Sequence, residues 1–542
     1  MSTRKNRTRV LTAGAVVTAV ALAGAGYGYA SAAEEPPALA FQAATHDVTV
    51  ERYVGEDYSY MNFDLGVNLI AGKQPFEIQA KRKNYAEPIV AQQMVTDAKG
   101  KKSAVTIPAG LFTTFDGFED FTAITIKNEA GETVKDYQTD WCPNTYESLR
   151  TRPDAPSSTP YPQSCSGGNP FLLGSVWGVQ AGYNAQIEST PRVDYSQGEP
   201  NEDFDLPGGK YQVTVKLNEK YRSWLQVPAD KATVALNVTV VDYDERGEGT
   251  PEGLAKAKAA TRAAAVGDEL APGKLATRGE HGEHAGQGDA SVQVSAYDPE
   301  FRPPAKVPAT LAATPKAGPK PDLRSLPAWG IELSQEDGKT YVNFGATVWN
   351  AGTSPLVVDG FRRTGTDLMD AYQYFYDSNG KEVGSVEAGT MEWDAREGHL
   401  HWHFTDFAQY NLLSADQSLA VRSGKEAFCL ANTDAVDYTI PNAKWRPSNT
   451  DLSTSCGQNT AVAVREVLDV GSGDTYSQAR PGQSFEITDL PNGTYFIQTL
   501  ANPENKLAEL KTTNNSSLRK IILGGTPEKR TLKVPAVHGI EG

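Results

Sequence analysis

From about Asp47 to Tyr243, apolar and polar residues alternate in short runs such as Tyr211-Gln212-Val213-Thr214-Val215 and Val234-Ala235-Leu236-Asn237-Val238. Gly, Pro, Asn and Asp separate the runs. A period of two sends alternate side chains to opposite faces, so this stretch predicts strands that each bury one face. The alternation stops at Asp244; up to about Leu326 the residues are mostly Ala, Gly, Lys, Glu and Pro, which predicts a flexible linker with one short helix at Pro251–Ala265. The strand pattern resumes and runs to about Gly524. At 542 residues the chain is too long for one ordinary core. The expected fold is therefore all-β, with two tandem related β-sandwich domains at 40–245 and 326–525, a linker at 246–325 and a tail at 526–542.

The two strand-rich blocks repeat each other. Tyr60-Met61-Asn62-Phe63 returns as Tyr341-Val342-Asn343-Phe344, and Trp141-Cys142-Pro143-Asn144-Thr145 resembles Phe428-Cys429-Leu430-Ala431-Asn432-Thr433. Tyr195-Ser196-Gln197 recurs as Tyr476-Ser477-Gln478, and Asp205-Leu206-Pro207-Gly208-Gly209-Lys210-Tyr211 as Asp489-Leu490-Pro491-Asn492-Gly493-Thr494-Tyr495. Because the spacing between copies drifts by only a few residues, the blocks read as a tandem duplication. What both copies keep is a candidate for architecture; what one copy alone has is a candidate for chemistry.

The N-terminus adds a compartment. Arg4, Lys5, Arg7 and Arg9 precede an apolar run from Val10 to Ala25 and the small residues Ala30-Ser31-Ala32, the layout of a signal peptide over 1–32. No later run reaches the roughly 20 apolar residues of a bilayer span, so a secreted, extracellular product is expected. Without the leader, 47 Lys and Arg face 67 Asp and Glu, a net charge of about −20 that argues against nucleic-acid binding. The four cysteines form two local pairs, Cys142 with Cys165 and Cys429 with Cys456, which suggests one disulfide per domain in an exported chain.

Of seven histidines, three fall within His399-Leu400-His401-Trp402-His403. On a strand all three imidazoles share one face, and Leu400 and Trp402 face the core. A flat strand would hold the outer two about 13 Å apart, so binding of one ion requires a bend or bulge. Imidazole-only ligation suits copper, zinc, nickel or iron and argues against calcium and magnesium. His281 and His284, in the linker, read as solvated residues.

The run Gly398-His399-Leu400-His401-Trp402-His403-Phe404-Thr405-Asp406-Phe407-Ala408-Gln409-Tyr410-Asn411-Leu412-Leu413 resembles the copper-binding segment of the lysyl oxidase family. Gly424-Lys425-Glu426-Ala427-Phe428-Cys429-Leu430 is similar to the segment whose lysine enters the cofactor, and Asp474-Thr475-Tyr476 to the one holding the cofactor tyrosine. The likeness extends from about Tyr341 to Leu523, where Asn502-Pro503 and Asn514-Asn515 fit the closing strands. It implies Cu(2+) held by His399, His401 and His403, and a lysine tyrosylquinone built from Lys425 and Tyr476. The implied activity is oxidation of primary amines, including lysine side chains of proteins, by dioxygen to aldehydes, peroxide and ammonia. The segment is one residue shorter after the third histidine than in the animal enzymes and lacks their extra upstream cysteine and histidine.

Thr113, Phe115 and Gly117 stand at the histidine positions of the first copy and Gln138 at the lysine position, so that copy is expected to bind no copper. It keeps Tyr195, which makes Tyr476 partly architectural. Asp406 and Asp474, with counterparts Asp120 and Asp194, have weak claims as the proton-abstracting base; Asp406 reads rather as a strand-end residue or one that orients a histidine. The reading from a different class is a non-catalytic metal-binding extracellular or envelope-associated interaction protein.

Overall fold

The computed structural model describes residues 39–542 apart from 56–57, 97–100, 166–167, 192–203, 226, 244–317, 364–365, 378, 396–399, 424–426, 447–451 and 480–482. The expected signal peptide, most of the linker with its short helix, and the residues Asp194, Tyr195, His281, His284, His399 and Lys425 lie outside the described residues. The described residues are nearly all β, with one α-helix among them, Glu219–Leu225. Alternation sets the strands as expected: in Thr233–Tyr243, Val234, Leu236, Val238 and Val240 are buried while Thr233, Ala235 and Asn237 are exposed.

Strand pairing follows one order twice. In the first half, Leu39–Ala43, Val67–Ala71 and Asn184–Gln186 form one sheet. A second runs Gly174–Val179, Phe76–Lys81, Val90–Thr96, Lys102–Thr106, and a third includes Thr233–Tyr243, Gly209–Leu217, Phe118–Asn128 and Thr133–Trp141. In the second half the matching orders are Leu323–Ser325, Lys339–Asn350, Ser472–Gln478; then Ala463–Leu468, Leu356–Arg362, Leu368–Tyr376, Glu382–Asp394; then Ser516–Thr526, Gly493–Ala501, Ala408–Leu413, Leu419–Arg422. Lys529–Lys533, in the segment read as a tail, pairs with Ser516–Thr526 as a further strand. The repeated Asp-Leu-Pro motif closes the same way in both halves: the Tyr211 hydroxyl donates to the Pro207 carbonyl at 2.7 Å, and Tyr495 to that of Pro491 at 2.8 Å.

One difference bears on function. The first-half sheet ends, among the described residues, at Lys102–Thr106, whereas its second-half counterpart continues past Glu382–Asp394 to His401–Thr405 and Ala427–Phe428. The added strands carry two of the histidines and the residues that follow Lys425.

Each half has a hydrophobic core, but residues 37–542 form one compact unit. The first core also takes in Leu326, Trp349 and Val436 from the second half. Both cysteine pairs are disulfide-bonded, Cys142–Cys165 and Cys429–Cys456.

Candidate metal centre

The histidine strand, His401–Thr405, pairs antiparallel with Glu382–Asp394, setting His401 opposite Asp394, Trp402 opposite Trp393, His403 opposite Glu392 and Phe404 opposite Met391. His401, His403, Glu392 and Asp394 thus share one face. Trp402 and Phe404 point to the other, where both are fully buried in the core. Leu400 does not join them: it is 52% exposed. The paired register ends at His401, and without a partner strand the alternation expected for Leu400 has nothing to enforce it.

Nε2 of His401 and Nε2 of His403 lie 2.8 Å apart, with ring planes at 71°. Two nitrogens that each bind one first-row ion at about 2.0 Å, with a right angle between the bonds, stand about 2.9 Å apart. The pair therefore has the spacing of two ligands of one ion. On the far side of the His403 ring, Nδ1 stands 3.3 Å from Oδ2 of Asp394, and both side chains are almost wholly buried. A carboxylate behind a histidine selects the tautomer that turns the other nitrogen's lone pair outward, the usual support of a metal-binding imidazole. Among the described residues no three His, Cys, Asp or Glu side chains form a metal-binding group. The two imidazoles fit two positions of a first-row metal site; the motif's other histidine, His399, lies outside the described residues.

Asp394 was not a candidate in the sequence, where Asp406 was expected either to serve a strand end or to orient a histidine. Asp406 takes a left-handed backbone conformation (φ 60°) and binds Nζ of Lys506 at 2.6 Å. The first half repeats this with Asp120 (φ 49°) and Lys220 at 3.8 Å. An arrangement kept by both halves belongs to the strand end. The signal for Asp394 was the alternating run Met391-Glu392-Trp393-Asp394, but its partner strand is a tertiary fact.

Tyr476 lies on Ser472–Gln478, between Lys339–Asn350 and Asp434–Ala435. Its ring packs edge-on against Phe428 at 4.9 Å, and Phe428 pairs with Phe404. Tyr476 thus meets the histidine sheet on the Phe404 face. Its hydroxyl donates to the Cys429 carbonyl at 2.6 Å. Burial, reinforced by Asp474 and Glu466, pushes the phenol well above its ordinary pKa, so it stays protonated at neutral pH. Asp474, buried on the same strand, lies on the same face as the phenol. Glu466, which the sequence did not single out, is fully buried and accepts the Leu430 N–H at 2.9 Å. Burial also raises its carboxyl well above the usual range.

The Cys429–Cys456 disulfide links the two parts. The Cys429 carbonyl holds the Tyr476 hydroxyl, and the Cys456 carbonyl accepts the N–H of Trp402, between the two histidines, at 3.0 Å.

Residues 377–529 match the lysyl oxidase family model. The matched stretch contains the histidine strand, the Lys425 segment and Tyr476. The chain is 30% identical over 130 residues to lysyl oxidase homolog 4 of Mus musculus, covering 24% of this chain and 15% of that protein. It is 28% identical over 131 residues to lysyl oxidase homolog 3 of Homo sapiens, covering 24% and 15%. A longer match, 26% identical over 194 residues, covers 36% of this chain and 21% of lysyl oxidase homolog 2 of Gallus gallus. The alignments thus cover 21% or less of these relatives' lengths. No helix among the described residues is long and apolar enough to cross a membrane.

Proposed function

We propose that this chain is a secreted copper-dependent amine oxidase that converts primary amines, lysine side chains of proteins among them, to aldehydes. In this reading 1–32 is an export signal, 40–245 a metal-free sandwich and 326–525 the catalytic sandwich. The observation that carries it is the imidazole pair, with Nε2 atoms 2.8 Å apart and a buried carboxylate behind one ring. The family match over 377–529 supports it.

His399, His401 and His403 hold the ion, and Asp394 keeps the His403 ring oriented toward it. Bound copper supplies, with dioxygen, the oxidation that turns Tyr476 into the ring to which the Lys425 amine adds. The chain's own contribution is to fix these groups and limit water around them. Phe428 and Tyr410 pack in the apolar cluster beside Tyr476, and the Cys429 carbonyl keeps the phenol proton until oxidation. Per turnover, one amine, one dioxygen and one water give one aldehyde, one ammonia and one hydrogen peroxide.

The test is to load the purified protein with copper in air, digest it and search by mass for a peptide in which Lys425 is joined to Tyr476, while recording peroxide release with a primary amine. Both are expected. Bound copper with neither signal would leave a non-catalytic metal-binding protein and reject the oxidase.

A further inference from the structure

The first half carries no expected ligand or cofactor residue, yet it grips the strand that holds Tyr476. On one side of that strand, Asn169 of the first half, 4% exposed, donates from Nδ2 to Oγ1 of Thr347 at 3.1 Å. Its Oδ1 accepts the Phe171 N–H at 3.0 Å, which fixes the amide's orientation. Thr347 is fully buried and shares a hydrogen bond of 2.6 Å with Oγ1 of Thr475, its cross-strand partner next to Tyr476. On the other side, Val436 accepts N–H groups from Leu173 and Gly174 at 2.8 and 3.1 Å, and the Tyr438 N–H returns a bond to the Gly174 carbonyl at 2.9 Å. The segment so held includes Asp434, whose carboxylate accepts the Thr475 hydroxyl, and Thr433, whose hydroxyl accepts the Thr475 N–H at 2.7 Å. Two hydrogen-bonded routes from the first half therefore converge on Thr475, one through each neighbouring strand.

We infer that the first half is an intramolecular clamp that positions Tyr476, with Asn169 and Gly174 as its positioning residues. This rests on the proposed role of Tyr476 in the cofactor. The carbonyl of Cys429, four residues after Lys425 in the sequence, accepts the Tyr476 hydroxyl at 2.6 Å, so the short intervening chain limits the separation of the two residues to be joined. Joining two side chains needs a narrow range of distances, and a looser strand spends less time within it. Gly174 is the close-approach point: a Cβ there would stand 2.3 Å from Oδ1 of Asp437, which is itself held by the N–H and hydroxyl of Thr439.

The test uses the full chain with Asn169→Ala, Gly174→Ala and, as the conservative variant keeping the hydroxyl, Thr347→Ser. Amide exchange is followed by mass spectrometry alongside copper content, melting temperature and the absorbance of the quinone per bound copper. Loss of one buried hydrogen bond in Asn169→Ala should speed exchange in 472–478 about fivefold. Copper stoichiometry should hold, Gly174→Ala should behave alike, quinone per copper should fall in both, and Thr347→Ser should stay near wild type. Unchanged exchange at 472–478 in both clamp variants would overturn the inference. So would acceleration spread evenly over 37–542, or faster exchange with an undiminished quinone yield. If the wild type forms no quinone, the oxidase reading fails by itself, and the exchange result still decides whether the first half clamps this strand.

Discussion

The two halves share strand order, a disulfide, a tyrosine bonded to a proline carbonyl and an aspartate–lysine pair at one strand end, yet differ where the histidines lie. At the position of His403 the first half has Gly117, with φ of +110° and the Trp141 carbonyl oxygen 2.6 Å from where a Cβ would stand. At the position of His401 it has Phe115, buried with the Arg82 guanidinium 5.5 Å above its ring. The first half therefore lacks more than three imidazoles. Among its described residues there is no counterpart of the added pair of strands, and one backbone position leaves no space for any side chain. Ligands alone do not make the site; the long Glu382–Asp394 strand, which supplies both a partner for the histidine strand and Asp394, is equally part of it.

The largest expected effects separate metal from cofactor. His401→Ala should lose copper by metal analysis and, with it, all peroxide release. Lys425→Ala should retain wild-type copper yet release no peroxide with amines; activity in that variant would break the assignment of Lys425. The reverse experiment places Gly117→His in the first half. Strain and the Trp141 contact should cost more than about 2 kcal/mol of stability in thermal or denaturant unfolding, with no second copper bound. A stable Gly117→His variant that binds extra copper would show that ligands alone suffice.

These contrasts explain what the sequence could reveal. The alternation in Thr233–Tyr243, the disulfide pairs and the sharing of a face by His401 and His403 are local, so they could be read along the chain. The repeated motifs also announced the repeated strand order. Asp394 and Glu466 escaped because a carboxylate gains its meaning from the strand packed beside it, and no local pattern shows that His403 lies across from Glu392 with Asp394 near its ring. The face on which Tyr476 lies was hidden for the same reason: it depends on Phe428 pairing with Phe404. Leu400 misled because alternation was extended one residue past the end of pairing.

A smaller effect tests the carboxylate behind the ring. Asp394→Ala should leave the fold and the His401 ligand in place but free the His403 ring to turn, weakening copper binding about 10- to 100-fold. Competition with a chelator of known affinity measures this. Unchanged affinity would mean that the histidine strand alone orients its rings.

The smallest effect is expected where the halves agree. Asp406 is close in sequence to the histidines, which gave it a claim as a catalytic base, but its carboxylate is engaged by Lys506 as Asp120 is by Lys220. Both pairs are partly exposed, so Lys506→Met should cost less than about 1 kcal/mol of stability. Removing the lysine frees the Asp406 carboxylate without altering the metal ligands. If that carboxylate abstracted the substrate proton, the pH profile of amine oxidation would move; an unchanged profile and unchanged copper content are expected. Lys220→Met in the first half is the matched control, because the two variants should unfold with similarly small losses if the pair serves the strand end in both places.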